Sequence, residues 1–193
     1  MEETSELPSQ IRSLVGCDAA YFSGITFAAA AQVRYEDLSL LNVRSASERT
    51  RFPYIPGLLA FREAPVVVRA IRGLRADGFV CLVDAHGVAH PRRFGLACYV
   101  GLALDRPTIG VAKSLLCGRV DGGRVVGEDG RILAELVMTP GGKTIYVSVG
   151  HKVSLEDAVS IVKRCMGPGG PVPLRLAHGE VTGWRLKNSN QAY

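Results

Sequence analysis

Leu14-Val15-Gly16-Cys17-Asp18-Ala19-Ala20-Tyr21-Phe22 is an apolar run interrupted by one acid, and the segments that crowd in behind it decide the fold. Gly24 admits a second apolar stretch at 25–34, and Tyr35-Glu36-Asp37 turns the chain into a third at 38–45. The composition and punctuation of these runs predict strands. Their close spacing suits an antiparallel meander, because parallel neighbours need a longer crossover. Ala28 to Ala31 could instead start a helix.

The pattern then changes. Residues 47–53 are polar and lead into Pro53-Tyr54-Ile55-Pro56-Gly57. From Leu58 to Leu74 the apolar positions Leu59, Val66, Val67, Ala70, Ile71 and Leu74 mark one face of a helix. Pro65 should kink or restart it, having no N–H to donate and restricting Ala64. Phe79 to Asp84 reads as a short buried strand, followed by a loop with His86, Gly87 and His90 and a helix from about Arg92 to Leu104. Thr108 to Ala112 is a further strand, and 118–130 is rich in turns. Strands at 133–138 and 144–149 precede a helix capped by Ser154, with Asp157 completing a capping box. Gly167 to Pro171 reads as a loop and the last dozen residues as a frayed end.

A three-strand meander feeding alternating helix and strand predicts an α/β chain with the ribonuclease H-like topology. Its central mixed sheet is flanked by helices and carries a C-terminal β-β-α extension. One domain over 1–193 is expected, with disordered ends at 1–8 and 187–193. A Rossmann domain is disfavoured: Gly16-Cys17-Asp18 lacks the glycine fingerprint and no long crossover helix follows the first strand.

The 193 residues, 47 % apolar and 21 % charged, are enough for a substantial core. No stretch reaches eighteen apolar residues, so no membrane span is expected, and the polar, acidic start is unlike a signal peptide. These features point to a cytoplasmic protein. The five cysteines form no CxxC pair and read as buried thiols rather than a zinc site. A net charge of +5 says little alone. The placement of Arg92, Arg93, Lys113, Arg119, Lys143, Lys152 and Arg175 near turns suggests a phosphate-binding face.

Asp18 and Asp84 interrupt or end apolar strands, and Glu63 lies on the helix between them. Three carboxylates brought together without obvious basic partners repel unless a cation sits among them. A hard divalent ion and phosphodiester hydrolysis follow from that argument.

The ordered motifs are Gly16-Cys17-Asp18-Ala19-Ala20-Tyr21, then Pro53-Tyr54-Ile55-Pro56-Gly57 running on to Phe61-Arg62-Glu63-Ala64-Pro65. They continue with Val83-Asp84-Ala85-His86-Gly87, His90-Pro91-Arg92-Arg93-Phe94-Gly95, Pro107 to Lys113-Ser114, and Ser148-Val149-Gly150-His151. In this series the chain resembles the endonuclease V family of inosine-directed nucleases, from about Val15 to His178. The resemblance implies Mg2+-dependent cleavage, with Mn2+ able to substitute, of DNA containing deoxyinosine. The cut falls at the second phosphodiester 3′ to the lesion and leaves a 3′-hydroxyl and a 5′-phosphate. Some members prefer inosine-containing RNA. Asp18, Glu63 and Asp84 match the catalytic, metal-binding acids, and Lys113 and His178 the supporting residues. Tyr54 and its flanking prolines, Pro53 and Pro56, match the wedge that parts the strands, and Ile55 and Gly57 beside them are expected substrate contacts.

Substrate contacts are also expected at Gly87, Gly110 and Gly150, where bare backbone would meet the base. Leu115, Leu116 or Val149 would form walls, Ser114 and His151 belong to matching motifs, and His90, Arg92 and Arg93 would serve loop or phosphate. The sequence departs from the family at Ala85, where glycine is usual, and at Cys98-Tyr99, where Ser-His is usual. Alternatives are an inosine-specific ribonuclease, a non-catalytic nucleic-acid binder of the same fold, and a broader structure-specific nuclease. A monomer is the default.

Overall fold

Two ten-residue strands, β1 (Ser13–Phe22) and β2 (Ile25–Arg34), fold on each other through Ser23 and Gly24, both at positive φ. The computed structural model describes residues 5–53, 55, 57–74 and 76–189. Pairing of β1 with β2 is antiparallel from Ser13 opposite Arg34 to Phe22 opposite Ile25. Ala28 to Ala31 therefore belong to a strand. Both faces of β2 are covered by helices, so small residues on each side let them approach, and burial outweighs the helical preference of alanine. The third strand, β3 (Leu40–Arg49), starts later and runs further than expected. It is an edge strand, and Arg44, Glu48 and Arg49 give it the charges that discourage pairing with another chain.

Helix α1 (Leu59–Gly73) runs through Pro65 without restarting. Pro65 and Phe61 are both exposed, so water can satisfy the carbonyl that proline leaves unpaired. Next come β4 (Phe79–Val83), α2 (Leu96–Leu104) and β5 (Thr108–Ala112). The second helix begins at Leu96 rather than Arg92, because Arg93 takes a left-handed turn at φ 54° and Gly95 is the N-cap. The turn-rich region holds a small hairpin, β6 (Arg119–Asp121) and β7 (Arg124–Val126), followed by β8 (Ile132–Met138) and β9 (Thr144–His151). All nine strands join one sheet in the order β3-β2-β1-β4-β5-β9-β8-β7-β6, parallel only across β1-β4-β5. The ribonuclease H-like expectation of a mixed α/β sheet holds.

In α3 (Leu155–Arg164) the Ser154 hydroxyl accepts from the Asp157 N–H at 3.1 Å and donates to the Asp157 carboxylate at 2.8 Å. That is the predicted capping pair, with the acid meeting the serine hydroxyl. The expected loop at 167–171 is a hairpin of two-residue strands, β10 (Met166–Gly167) and β11 (Gly170–Pro171). Residues 182–189, expected to be part of a frayed end, are instead the second half of an 18-residue helix, α4 (Val172–Ser189). Gly179, Gly183 and a weak apolar stripe hide this helix in the sequence, while Pro173 sits in the first turn, where its missing N–H costs nothing. At the other end Glu6 donates its N–H to the Lys152 carbonyl at 3.1 Å, and Leu7 packs against the core.

Strand alternation divides the core. Val15, Cys17, Ala28, Ala30, Cys81 and Val83 face α1 and α2. Leu14, Val80, Leu82, Ile109 and Val111 face the layer of α3 and α4. Gly16 is the point where β1 and α4 touch: a Cβ there would lie 2.2 Å from the Pro173 carbonyl carbon and 2.5 Å from the Leu174 nitrogen. Backbone cannot swing aside as a side chain can. Gly16→Ala is therefore expected to lower stability by about 1–3 kcal/mol and to push α4 off the sheet. Denaturant unfolding reads the loss, and an unchanged midpoint would contradict the contact.

Candidate active site

Parallel pairing sets the centre. Cys17 lies opposite Val83, so Asp18 and Asp84 follow one step later on neighbouring strands, and the Asp84 N–H donates to the Cys17 carbonyl at 3.0 Å. Both acids have the strand parity of Leu14, Leu82 and the other residues that face α4. They stand just past the point where the parallel pairing of β1 and β4 ends, at the carboxyl side of that pairing, where open α/β sheets place their sites. Lys113 follows β5 with the parity of Ile109 and Val111, and its Nζ reaches Asp84 Oδ2 at 2.5 Å. From α4, His178 Nδ1 meets Asp18 Oδ2 at 2.7 Å, and Asp18 Oδ1 accepts from the Ala19 N–H at 2.8 Å. Both acids thus have the basic partners that the sequence did not reveal.

One ligand atom each from Asp18, Asp84 and His178 lies within 4.8 Å of the others. Glu63 is outside this tight group, although the sequence reading placed it with the two aspartates. It still senses them: burial first, then the charge of Asp18, pushes its carboxyl up to about 7, with Asp84 adding to the effect and Arg62 opposing it. The Asp18 carboxyl is also raised, by burial and then by Asp84, against hydrogen bonds from His178 and Ala19. Crowded, desolvated carboxylates of this kind favour a cation among them. Carboxylate oxygens suit a hard divalent ion, so the donor set fits Mg2+ or Mn2+.

Three clefts meet at Asp84 and Lys113. One of about 380 Å3 holds Asp18, His178, Thr182 and Arg185. A second, about 310 Å3, holds Ile55, Gly57, His86, His90, Ser114 and Leu116. The third, about 650 Å3, holds Thr139, Lys143 and Arg175. Sequence reasoning assigned Lys143 and Arg175 only to a general basic face and missed Thr182 and Arg185, because it did not see α4. Arg62, next to Glu63 on α1, has its guanidinium 3.9 Å from the Tyr21 ring centroid.

The other expected contacts divide sharply. Ile55, Gly57, His90 and Ser114 line the second cleft, and Pro53 sits just before it in the chain. Tyr54 and Pro56 lie outside the described residues. Arg92 donates to the Gly57 carbonyl at 3.1 Å, holding the turn in which Gly57 takes φ +76°. Arg93 is committed elsewhere, to Asp129 at 3.0 Å. Gly87 and Gly110 do not line the cleft. They are buried where the loop after β4 crosses the sheet, since a Cβ on Gly110 would lie 2.3 Å from the Gly87 nitrogen. Gly150 and His151 are at the far end of the sheet, because antiparallel pairing puts His151 opposite Thr108, the first residue of β5, whereas Lys113 follows its last. His151 faces Asp105 there, and Val149 is buried in the core. Leu115 is exposed, and its neighbour Leu116 supplies the wall.

Neither departure disturbs the acids. Ala85 is not among the residues at positive φ, so its methyl needs no strained backbone. Tyr99 lies in an aromatic group with Phe61 and Phe94, ring centroids 6.1 and 6.4 Å away. His86 lines the second cleft with its Nδ1 buried and without a hydrogen-bond partner among the described residues; burial, then His90, holds its pKa down.

Comparison with known proteins finds one family in sequence and in fold. The family model described as Endonuclease V matches residues 1–179. An Endonuclease V of Desulfurococcus amylolyticus is 45 % identical over 175 residues, covering 88 % of this chain and 80 % of that protein. The catalytic domain of human Endonuclease V superposes with a TM-score of 0.85 at 28 % identity, over 94 % of this chain and 85 % of that one. Ciona intestinalis Endonuclease V gives 0.86 at 28 % identity over 95 % and 91 %, and was solved with a 24mer DNA containing an inosine followed by a ribo-adenosine.

Proposed function

Because the chain belongs to the endonuclease V family, we propose that it is a metal-dependent endonuclease acting on DNA that contains deoxyinosine. It cuts the second phosphodiester 3′ to the lesion and leaves a 3′-hydroxyl and a 5′-phosphate. The observation that carries the reading is the convergence of Asp18, Asp84 and His178 beside Lys113, at the meeting point of three clefts. Asp18 and Asp84 would hold Mg2+, with Mn2+ as a substitute, and Glu63 adds negative charge beside them. A bound divalent ion supplies Lewis-acid stabilisation of the phosphate and activation of water.

The remaining chemistry belongs to the side chains. The Lys113 ammonium is placed to meet a nonbridging phosphate oxygen as charge grows there. His178 holds Asp18 in place and can pass a proton at Nδ1 or Nε2. The second cleft, lined by Ile55 and Gly57, is the seat for the lesion base, and Tyr54, between two prolines in the sequence, is the wedge that parts the strands. Lys113→Gln should lower kcat about a hundredfold. Its half-saturation by Mg2+ should not worsen, because the ammonium competes with a cation for the same Asp84 oxygen. A weaker Mg2+ response with unchanged kcat would oppose that role.

The Ciona complex favours a second reading, preference for a ribonucleotide after the inosine. Three matched strands separate the two: deoxyinosine in DNA, deoxyguanosine in DNA, and inosine followed by a ribo-adenosine. Fastest cleavage of the first supports the DNA reading. Fastest cleavage of the third supports the ribonuclease reading, and equal rates on all three reject inosine recognition.

A further inference from the structure

The third cleft leaves the catalytic centre on the side away from Gly57 and His90. It runs from Asp84, Lys113 and His178 between the β8–β9 turn and the start of α4. Its lining combines three cations, Lys113, Lys143 and Arg175, with the hydroxyls of Thr139 and Thr144, and Asp84 is the single carboxylate in it. Lys113 is paired with Asp84. Among the described residues no carboxylate pairs with Lys143 or Arg175, whereas Arg93, Arg106 and Arg119 elsewhere each meet an aspartate. Unneutralised cations along a concave wall focus a positive potential into it.

Arg175 also lies close against the glycines of the hairpin. A Cβ on Gly169 would come 3.2 Å from its Cδ, and one on Gly167 3.3 Å from its Nη1. The side chain therefore lies along the β10–β11 hairpin, on a bed of glycine backbone. The planar fork of a guanidinium suits a phosphate.

We propose that this cleft binds the backbone of the strand being cut on the 3′ side of the scissile bond, with Lys143 and Arg175 each set against a phosphodiester. The polarity rests on the proposed function: the lesion base occupies the second cleft, the cut lies 3′ to it, and the chain beyond the cut leaves on the opposite side. The first cleft is the other exit, but it offers Arg185 alone beyond the shared centre.

Binding without divalent metal tests this independently of cleavage. A fluorescent single strand with one deoxyinosine is titrated across a salt series. Lys143→Gln with Arg175→Gln should flatten the slope of log Kobs against log salt by about 1.4, from about 0.7 per phosphate contact on a single strand. Arg175→Lys should keep its share. Arg34→Gln with Arg164→Gln, in a separate cleft near the N-terminus, should change nothing. Neutral methylphosphonate linkages are then placed one at a time on both sides of the inosine. At one 3′ position the wild-type protein should lose about tenfold in affinity and the double variant less than about twofold. Thermal melts identify any variant that has lost its fold, and the exposed turn residue Lys143 can then be tested alone. An unchanged salt slope, or coupling confined to the 5′ side, overturns the proposal. Coupling on the 3′ side with no selective cleavage of inosine strands leaves the cleft standing and rejects the proposed substrate instead.

Discussion

Asp84→Asn is expected to abolish cleavage, with kcat falling about a thousandfold or more, roughly 4 kcal/mol of transition-state stabilisation, while the protein stays folded. Asp84 is the junction of the site: its Oδ2 holds Lys113, it faces Asp18 and His178, and it lines all three clefts. The amide keeps the shape but loses the charge that draws both the cation and the ammonium. It also removes a like charge that raises the Asp18 and Glu63 carboxyls, so the metal-free protein should be no less stable. Glu48→Gln is the control, since Glu48 pairs with Arg69 on the surface. Rate measurements under saturating Mg2+, with melts in chelator, check both halves. A residual rate above a tenth of wild type would remove Asp84 from the catalytic centre.

The second large effect is a pH dependence of stability in the absence of metal. Glu63 is held at about 7 in the folded protein against an ordinary 4.5. Between those values Glu63 keeps in the folded chain a proton that it has released in the unfolded chain, so its own contribution to stability falls as pH rises through that window. A shift of this size corresponds to a loss of about 2–3 kcal/mol between pH 4.5 and 7. Glu63→Gln should flatten this slope and raise metal-free stability near pH 7. A divalent ion favours the ionised acids, so its stabilising effect should grow over the same window. Urea unfolding in chelator at intervals of pH reads all three. His86 and His90, whose burial holds their pKa values down, contribute the opposite slope below about 6.5. The decisive reading is therefore the difference between wild type and Glu63→Gln: the same pH slope in both would contradict the burial and repulsion assigned to Glu63.

The sequence displayed the sheet better than it displayed the site. Apolar runs of strand length, broken by Gly24 and by Tyr35-Glu36-Asp37, carried the meander, and the buried run at Phe79–Val83 carried the parallel core. Asp18 and Asp84 were visible because a charge at the end of such a run demands compensation. Glu63 was legible only as a helical acid, since helix periodicity gives its face but not its distance from Asp18 and Asp84, whose charges it senses. His178 was found only through resemblance: its helix has two glycines and little apolar contrast, and its docking depends on the missing Cβ of Gly16. Gly150 and His151 were assigned to the substrate by motif. Antiparallel pairing carries them to the opposite end of β5, which no linear spacing reveals.

The most direct test is a crystal soaked in Mn2+ and measured at an energy where manganese scatters anomalously. The account predicts a peak between the carboxylates of Asp18 and Asp84, lost in Asp84→Asn. A peak elsewhere, or none at a concentration that saturates cleavage, would contradict it.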